Sequence, residues 1–99
     1  MPRRLKHLID GRLVGENDLV VSARDLGLLR GFSVFDFFIT YNNRPFMLDA
    51  HVSRLFNSAA YINLNNPWTE DEIKKMVLEV IRSNKSDFEK TIKIILSGG

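Results

Sequence analysis

The segment from Val34 to Tyr41 constrains the fold more than any other part of this sequence. Most of its residues are β-branched or aromatic, the types that favour strands, and side chains alternate between the two faces of a strand. One face would carry Phe35, Phe37, Ile39 and Tyr41; the other would carry Val34, Asp36, Phe38 and Thr40. The sequence therefore predicts a strand, and the carboxylate of Asp36 needs a polar partner if its face is buried.

Two hairpins are predicted around tight turns. Asp10-Gly11 lies between the strand candidates Lys6–Ile9 and 12–14, and both residues tolerate the positive φ of a two-residue turn. Asn42-Asn43 connects the long strand to a returning strand predicted over Arg44 to Leu48.

Two amphipathic helices are predicted after the second hairpin. Asp49 can cap the first, whose apolar stripe recurs at helical spacing and comprises Val52, Leu55, Phe56 and Ala59. Thr69 and Glu72 form a capping-box pattern at the start of the second, whose stripe comprises Ile73, Met76, Val77, Val80 and Ile81. In that helix, Glu70 and Asp71 stand four residues before Lys74 and Lys75, a spacing that favours ion pairs.

Strands followed by two helices and a final strand are typical of an α+β fold. Ser22 to Gly31, with two glycines and three charged residues, is interpreted as a loop, and Thr91 to Ser97 as the final strand. That last strand is apolar on both faces, so we expect it to be central or covered. The sequence predicts one domain over residues 1–99, a mainly antiparallel sheet with two helices packed on one face.

Composition excludes several classes of function. The net charge of +2 comes from 14 basic and 12 acidic residues that are mixed along the chain, so a nucleic-acid-binding face is not predicted. No stretch approaches the roughly 20 apolar residues of a membrane span. The absence of cysteine excludes thiolate sites and favours a cytoplasmic setting. His7 and His51 are the only histidines and join no cluster of ligands, so no metal site is predicted.

Three stretches carry a family resemblance. Residues 22–36, SARDLGLLRGFSVFD, are similar to D-x-G-x-x-x-G-x-x-V-[FY]-[ED], and residues 45–55, PFMLDAHVSRL, to F-x-L-x-x-H-x-x-R-L. Ser58-Ala59-Ala60 follows at the family's usual interval. In this order and spacing they resemble the class IV (fold-type IV) pyridoxal-phosphate-dependent enzymes. These are the branched-chain aminotransferases, the D-amino acid aminotransferases and the aminodeoxychorismate lyases.

The resemblance assigns Arg54 to the phosphate of the cofactor, pyridoxal 5′-phosphate. A guanidinium is permanently charged and presents a rigid fork of donors, which suits a phosphate; on helical pattern alone, a solvated arginine would be the better interpretation. His51, three residues earlier, invites a catalytic role because histidine is a common general acid or base. We favour a structural role for it, which is to position the hairpin or Arg54.

The resemblance places four further residues at the substrate pocket: Phe35, Asp36, Arg30 and Lys93. Phe35 would pack on the substrate side chain, or else be a core residue. Asp36 stands where the family commonly has glutamate, and a structural ion pair and a polar pocket wall are equal alternatives for it. Arg30 would attract an acidic group, or cap carbonyls or pair with Asp25.

Two positions in the last strand bear on the subgroup. Lys93 aligns with an arginine that faces the active site in branched-chain enzymes. Gly98 replaces the arginine that holds the substrate carboxylate in D-amino acid aminotransferases, which counts against that subgroup.

The resemblance implies half of an active site. None of the six lysines matches the family's Schiff-base lysine, which we expect beyond Gly99 in a second domain absent from this chain, and so we assign no catalytic residue here. The longer protein is expected to be a homodimer that transfers an amino group between an amino acid and a 2-oxo acid. A branched-chain-like amino acid is the first substrate expected. The alternatives are an aminodeoxychorismate lyase-like enzyme and a non-catalytic, self-associating α+β module. The 99-residue chain alone is expected to be inactive.

Overall fold

The computed structural model describes residues 5–99, and the predicted α+β fold is confirmed. In chain order the elements are β1 (Lys6–Ile9), β2 (Arg12–Gly15), a 3-10 turn (Glu16–Asp18), α1 (Leu26–Arg30), β3 (Ser33–Tyr41), β4 (Arg44–Pro45), α2 (Leu48–Tyr61), α3 (Glu70–Ser83) and β5 (Thr91–Ser97).

The long strand β3 is the centre of an antiparallel sheet with the order β4-β3-β5. Its register with β5 runs from Ser33 opposite Ser97 to Ile39 opposite Thr91. The predicted alternation is confirmed, since Asp36, Phe38 and Thr40 are buried while the residues between them are exposed.

Helices α2 and α3 cover the buried face of this sheet. Both predicted stripes point inward, and the core consists of Phe38 and Leu96 from the sheet, Val52, Leu55 and Ala59 from α2, Leu64 from the following loop, and Ile73, Val77 and Ile81 from α3. The capping box of α3 is also present, with Thr69 and Glu72 each accepting a backbone N–H of the other. The helices therefore hold one face of β3 closed to solvent.

The first hairpin forms a separate two-stranded sheet that packs beside α3. Its turn has φ of 50° at Asp10 and 81° at Gly11, as the sequence predicted. Asn84, buried after the end of α3, joins the hairpin to the helix. Its side chain accepts from the Lys6 N–H and donates to the Lys6 and Val80 carbonyls. One amide side chain thus satisfies three backbone groups from two elements.

Three local predictions were wrong. The loop predicted over Ser22–Gly31 contains α1, whose N-cap is Asp25. The returning strand predicted over 44–48 has only two residues. The N-cap of α2 is Met47, not Asp49, which lies in the first helical turn. Met47 reverses the chain in the left-handed region at φ 54°, so the helix starts two residues earlier than the capping signal indicated.

Two further expectations also need correction, one about the partner of Lys74 and one about the place of β5 in the sheet. Lys74 forms an ion pair with Asp49 of α2, with 3.0 Å between Nζ and Oδ1, whereas it had been assigned to Glu70 on its own helix. Within residues 5–99, β5 pairs only with β3 and so lies at a sheet edge, with one face exposed. The exposed face of β5 carries one apolar residue, Ile95, whose presence is not explained by burial among the described residues.

We predict that Leu55→Ala destabilises the fold by roughly 2–5 kcal/mol, because Leu55 is fully buried between helix and sheet. Leu78→Ala, at a half-exposed position on α3, is the matched control and should cost about 1 kcal/mol or less. Urea unfolding of both variants measures the difference. Equal losses would contradict the packing of α2 on the sheet.

Candidate functional site

A buried carboxylate connects the sheet to helix α2. Asp36 lies on the closed face of β3 with its side chain 4% exposed. Arg54 binds it through two parallel hydrogen bonds: Nε donates to Oδ2 at 2.6 Å, and Nη2 donates to Oδ1 at 2.7 Å. This is the bidentate geometry of a strong arginine–carboxylate pair. Of the two roles considered for Asp36, the ion pair is the one that its contacts show. The pair joins the sequence motif that ends at Asp36 to the motif that contains Arg54.

His51 is the third member of this cluster, one turn before Arg54 on α2. Its Nδ1 lies 2.9 Å from Asp36 Oδ1 and 3.1 Å from Arg54 Nη2. Its ring stacks on Phe38 with the centroids 5.1 Å apart. These contacts fit the structural role that the sequence favoured for His51.

The pKa of Asp36 is lowered from its ordinary value of 3.8 to about 2. The hydrogen bonds from Arg54 are the main cause and outweigh the opposite effect of burial; the hydrogen bond with His51 lowers the pKa further. The same pair raises the pKa of Arg54. The carboxylate is thus ionised and the guanidinium charged at any ordinary pH.

Arg54 keeps donors available for a further ligand. Its side chain is 65% exposed although Asp36 fixes the edge formed by Nε and Nη2. Within residues 5–99, both N–H groups of Nη1 are without a partner. A guanidinium that is held along one edge and open along the other is suited to binding an anion, and a phosphate group fits this donor set.

Phe35 and Lys93 lie on the opposite, open face of the sheet. Lys93 Nζ stands 4.6 Å from the centroid of the Phe35 ring, within cation–π distance. Phe37 lies directly across the strand pair from Lys93, and Ile95 lies across from Phe35. The four residues form an apolar surface with one cation, which we call the open face.

The substrate-pocket residues named from the sequence therefore do not form one pocket within residues 5–99. Phe35 and Lys93 share the open face, while Asp36 is buried on the other face. Arg30 is exposed in the last turn of α1. Among the described residues it forms no ion pair with Asp25, whose Oδ1 accepts from the Gly27 N–H and the Ser97 hydroxyl.

The contact between Asp25 and Ser97 was missed by the sequence reasoning. It ties α1 to the end of β5, and the backbone of Leu26 donates to Gly99 O at 2.8 Å beside it. The hydrogen bonds with Ser97 and with backbone N–H groups lower the pKa of Asp25. The pattern Asp25-x-Gly27 was the available signal, since it is the start of a capped turn.

Gly98 lies opposite Phe32 just beyond the β3–β5 register, and its N–H donates to Phe32 O at 2.9 Å. A Cβ at Gly98 would overlap the Phe32 ring, with Cε2 at 2.9 Å. Close packing therefore favours glycine here, and the Phe32 ring occupies the space that a side chain at 98 would need.

The fold is that of one known family. The class IV amino-transferase family matches residues 33–99, about two thirds of the chain, and the protein belongs to it. A Methanocaldococcus jannaschii relative, provisionally named a branched-chain-amino-acid aminotransferase, is 39% identical over 80 residues, 81% of this chain and 28% of its own. The Bacillus licheniformis D-alanine aminotransferase is 33% identical over 82% of this chain and 29% of its own. The Bacillus subtilis aminodeoxychorismate lyase is 30% identical over 92% of this chain and 31% of its own.

Solved structures agree with this assignment. The branched-chain aminotransferase of Thermoproteus uzoniensis, determined with norvaline, superposes with a TM-score of 0.86 at 34% identity. That match covers 94% of this chain and 33% of the other. The branched-chain amino acid aminotransferase of Escherichia coli has a TM-score of 0.80 at 26% identity and covers 90% of this chain and 30% of its own. The chain spans about a third or less of the length of these relatives.

No group of three or more histidine, cysteine, aspartate or glutamate side chains within residues 5–99 is arranged to hold a metal ion. No helix among the same residues is long and apolar enough to cross a membrane.

The pair formed by Asp36 and Arg54 should make stability depend on acid. Because the folded pKa is depressed, Asp36 stabilises the fold above about pH 4, and this contribution is lost as the pH falls through about 2. The loss should be on the order of 2 kcal/mol, since one pKa unit corresponds to about 1.4 kcal/mol. Denaturant unfolding of wild type and Asp36→Asn should therefore differ at pH 5 and converge toward pH 2. Asp87→Asn, at an exposed loop position, is the control, and a gap that stays constant would refute the coupling.

Gly98→Ala should destabilise the fold by roughly 1–3 kcal/mol, the usual effect of overpacking, because the new methyl group meets the Phe32 ring. In a Phe32→Ala background the same change should cost little, which a double-mutant cycle measures. Gly15→Ala is the control, as nothing lies within 4 Å of a Cβ there. Additive effects of the changes at 32 and 98 would contradict the close contact.

Proposed function

We propose that this chain is the amino-terminal small domain of a pyridoxal-phosphate-dependent aminotransferase. The whole enzyme transfers an amino group between an amino acid and a 2-oxo acid, with branched-chain amino acids as the first substrates to test. The observation that carries the proposal is the guanidinium of Arg54, fixed by buried Asp36 and open at Nη1. Relatives that share this domain and are named branched-chain aminotransferases support it.

Arg54 would hold the phosphate of the cofactor. Two hydrogen bonds to Asp36 remove the rotational freedom of the guanidinium before any ligand arrives, so less entropy is lost on binding. The carboxylate neutralises part of the positive charge, but Nη1 still presents two donors outward. A phosphate that carries nearly two negative charges is the kind of partner that such a donor pair favours.

The bound cofactor supplies an electron sink for the amino acid, and a lysine of the enzyme provides the attachment and the proton transfers. We assign that lysine to the part of the longer protein that this chain does not contain. Lys93 is the one lysine on the open face, and its position beside Phe35 supports a role in substrate recognition. Phe35, Arg30 and Lys93 are proposed to line the substrate side, while Asp36 acts through Arg54.

The second candidate is an aminodeoxychorismate lyase-like enzyme. It is favoured by the Bacillus subtilis lyase, whose similarity extends over 92% of this chain, the widest span among the curated relatives named above. In both candidates Arg54 would bind the cofactor phosphate, so the contacts of Arg54 do not distinguish them. Analysis of the products that the longer protein forms with and without a 2-oxo acid acceptor would distinguish the aminotransferase from the lyase.

The open face also supports a role in assembly. Phe35, Phe37 and Ile95 are each more than half exposed, and a soluble protein rarely leaves a large apolar surface uncovered. We propose that the longer protein is a homodimer in the cytoplasm, the latter supported by a sequence that contains no cysteine. A module that associates without catalysis is the alternative that the following experiment would reveal.

We expect Arg54→Ala to weaken cofactor retention by tenfold or more in the longer protein, because one charged phosphate contact contributes roughly 1.5–3 kcal/mol. Arg82→Ala is the matched control, since Arg82 is an exposed arginine at the end of α3. Retention is measured as cofactor absorbance that remains with the protein after dialysis.

Three results would count against the proposal. Equal retention in the two variants would return Arg54 to a surface role. A longer protein that binds no cofactor would exclude the enzyme and leave the assembly module. If the 99-residue chain alone trapped pyridoxal phosphate on one specific lysine after borohydride reduction, the assignment of that lysine to the missing part would be wrong.

A further inference from the structure

His51 has one ring nitrogen between two competing partners. Nδ1 lies 2.9 Å from Asp36 Oδ1, which can only accept a hydrogen bond, and 3.1 Å from Arg54 Nη2, which can only donate one. A ring nitrogen carries either a hydrogen or a lone pair in the ring plane, so Nδ1 serves one of the two at a time. The imidazole ring stacks on Phe38, which holds it in place. Whether Nδ1 bonds Asp36 or Arg54 therefore depends on whether Nδ1 carries a hydrogen.

The two states leave different donors of Arg54 available. When Nδ1 carries a lone pair, Nη2 donates to both Asp36 Oδ1 and His51 Nδ1, and among the described residues only Nη1 is without a partner. When Nδ1 carries a hydrogen, it donates to Asp36, and Nη2 then has Asp36 as its one partner within residues 5–99. The ligand then meets the full edge formed by Nη1 and Nη2, which is the bidentate arrangement that arginine offers to phosphate.

We propose that anion binding at Arg54 and a hydrogen on Nδ1 of His51 are coupled, so that each favours the other. This makes His51 a positioning residue that sets how many donors Arg54 gives to the ligand. The inference rests on the proposed phosphate-binding role of Arg54 and adds to it the state of its neighbour. The coupling is reciprocal, as thermodynamic linkage requires.

The proton balance of the coupled step has two forms. If Nε2 releases its proton to water while Nδ1 gains one, the ring stays neutral and no net proton is taken up. If Nε2 keeps its proton, the ring takes up one proton and becomes a cation beside the bound anion. Among the described residues, the charged groups with which His51 makes contacts are Asp36 from β3 and Arg54 from its own helix.

The experiment is a phosphate titration of the ¹⁵N-labelled chain at constant pH, followed through the imidazole nitrogens. The sequence holds only two histidines, and His7, on β1, is the internal control. We expect the Nδ1 resonance of His51 to move toward the range of a protonated ring nitrogen as inorganic phosphate is added, while that of His7 stays constant. Sodium chloride at matched ionic strength should not reproduce the change.

Variants separate this proposal from the phosphate-binding role itself. Arg54→Gln should abolish both phosphate binding and the change at His51. His51→Asn places an amide N–H where Nδ1–H would be, so this variant should bind phosphate at least as tightly as the wild type. Binding that depends on Arg54 but leaves Nδ1 unchanged, or that becomes weaker in a folded His51→Asn variant, would overturn the coupling and leave the proposed function intact. Absence of binding that depends on Arg54 would overturn the coupling, and cofactor retention in the longer protein would test the function separately.

Discussion

The ion pair between Asp36 and Arg54 is the interaction on which this structure depends. A carboxylate buried in a sheet face is costly unless it is paired and hydrogen-bonded, and removing its partner leaves an uncompensated charge. Arg54 meets this need from helix α2 and yet keeps most of its side chain in solvent. The same bonds therefore serve two purposes. They fix the helix against the strand, and they hold a cation at the surface in one orientation.

The alternation of β3 then separates the molecule into two surfaces with different roles. Helices α2 and α3 cover the face of Asp36, and the charge they enclose is satisfied within this chain. The face of Phe35 and Lys93 has no such cover within the described residues. The chain spans only about a third or less of its relatives. Under the proposed function, this uncovered apolar face beside a single cation is a surface that the rest of the enzyme would cover.

Much of the fold could be predicted because its signals are local. The turn at Asp10-Gly11, the capping box at Thr69 and the alternation of β3 each depend on residues near in sequence, and each was confirmed. Helix α1 was missed because five residues give little periodicity, and its position depends on contacts with Ser97 and Gly99, more than 70 residues away.

The candidate site shows the same limit. The motif around His51 and Arg54 identified a phosphate-binding arginine as an expectation, and Asp36 was recognised as a carboxylate in need of a partner. That they are partners follows only when the strand and the helix cross, which the sequence does not encode at short range. The pairing of Lys74 with Asp49 in place of Glu70 has the same origin, since the packing of two helices brought a distant acid close.

The contact between Phe32 and Gly98 has a consequence for how this domain can evolve. Because an aromatic ring already fills the volume beside the glycine, the two positions have room for one large side chain between them. A lineage that gains a long side chain at 98 must first, or at the same time, reduce the residue at 32. Positions 32 and 98 should therefore covary among relatives, so that a larger residue at 98 occurs with a smaller residue at 32. A single enlargement at 98 would destabilise the fold, whereas the double change would avoid this loss.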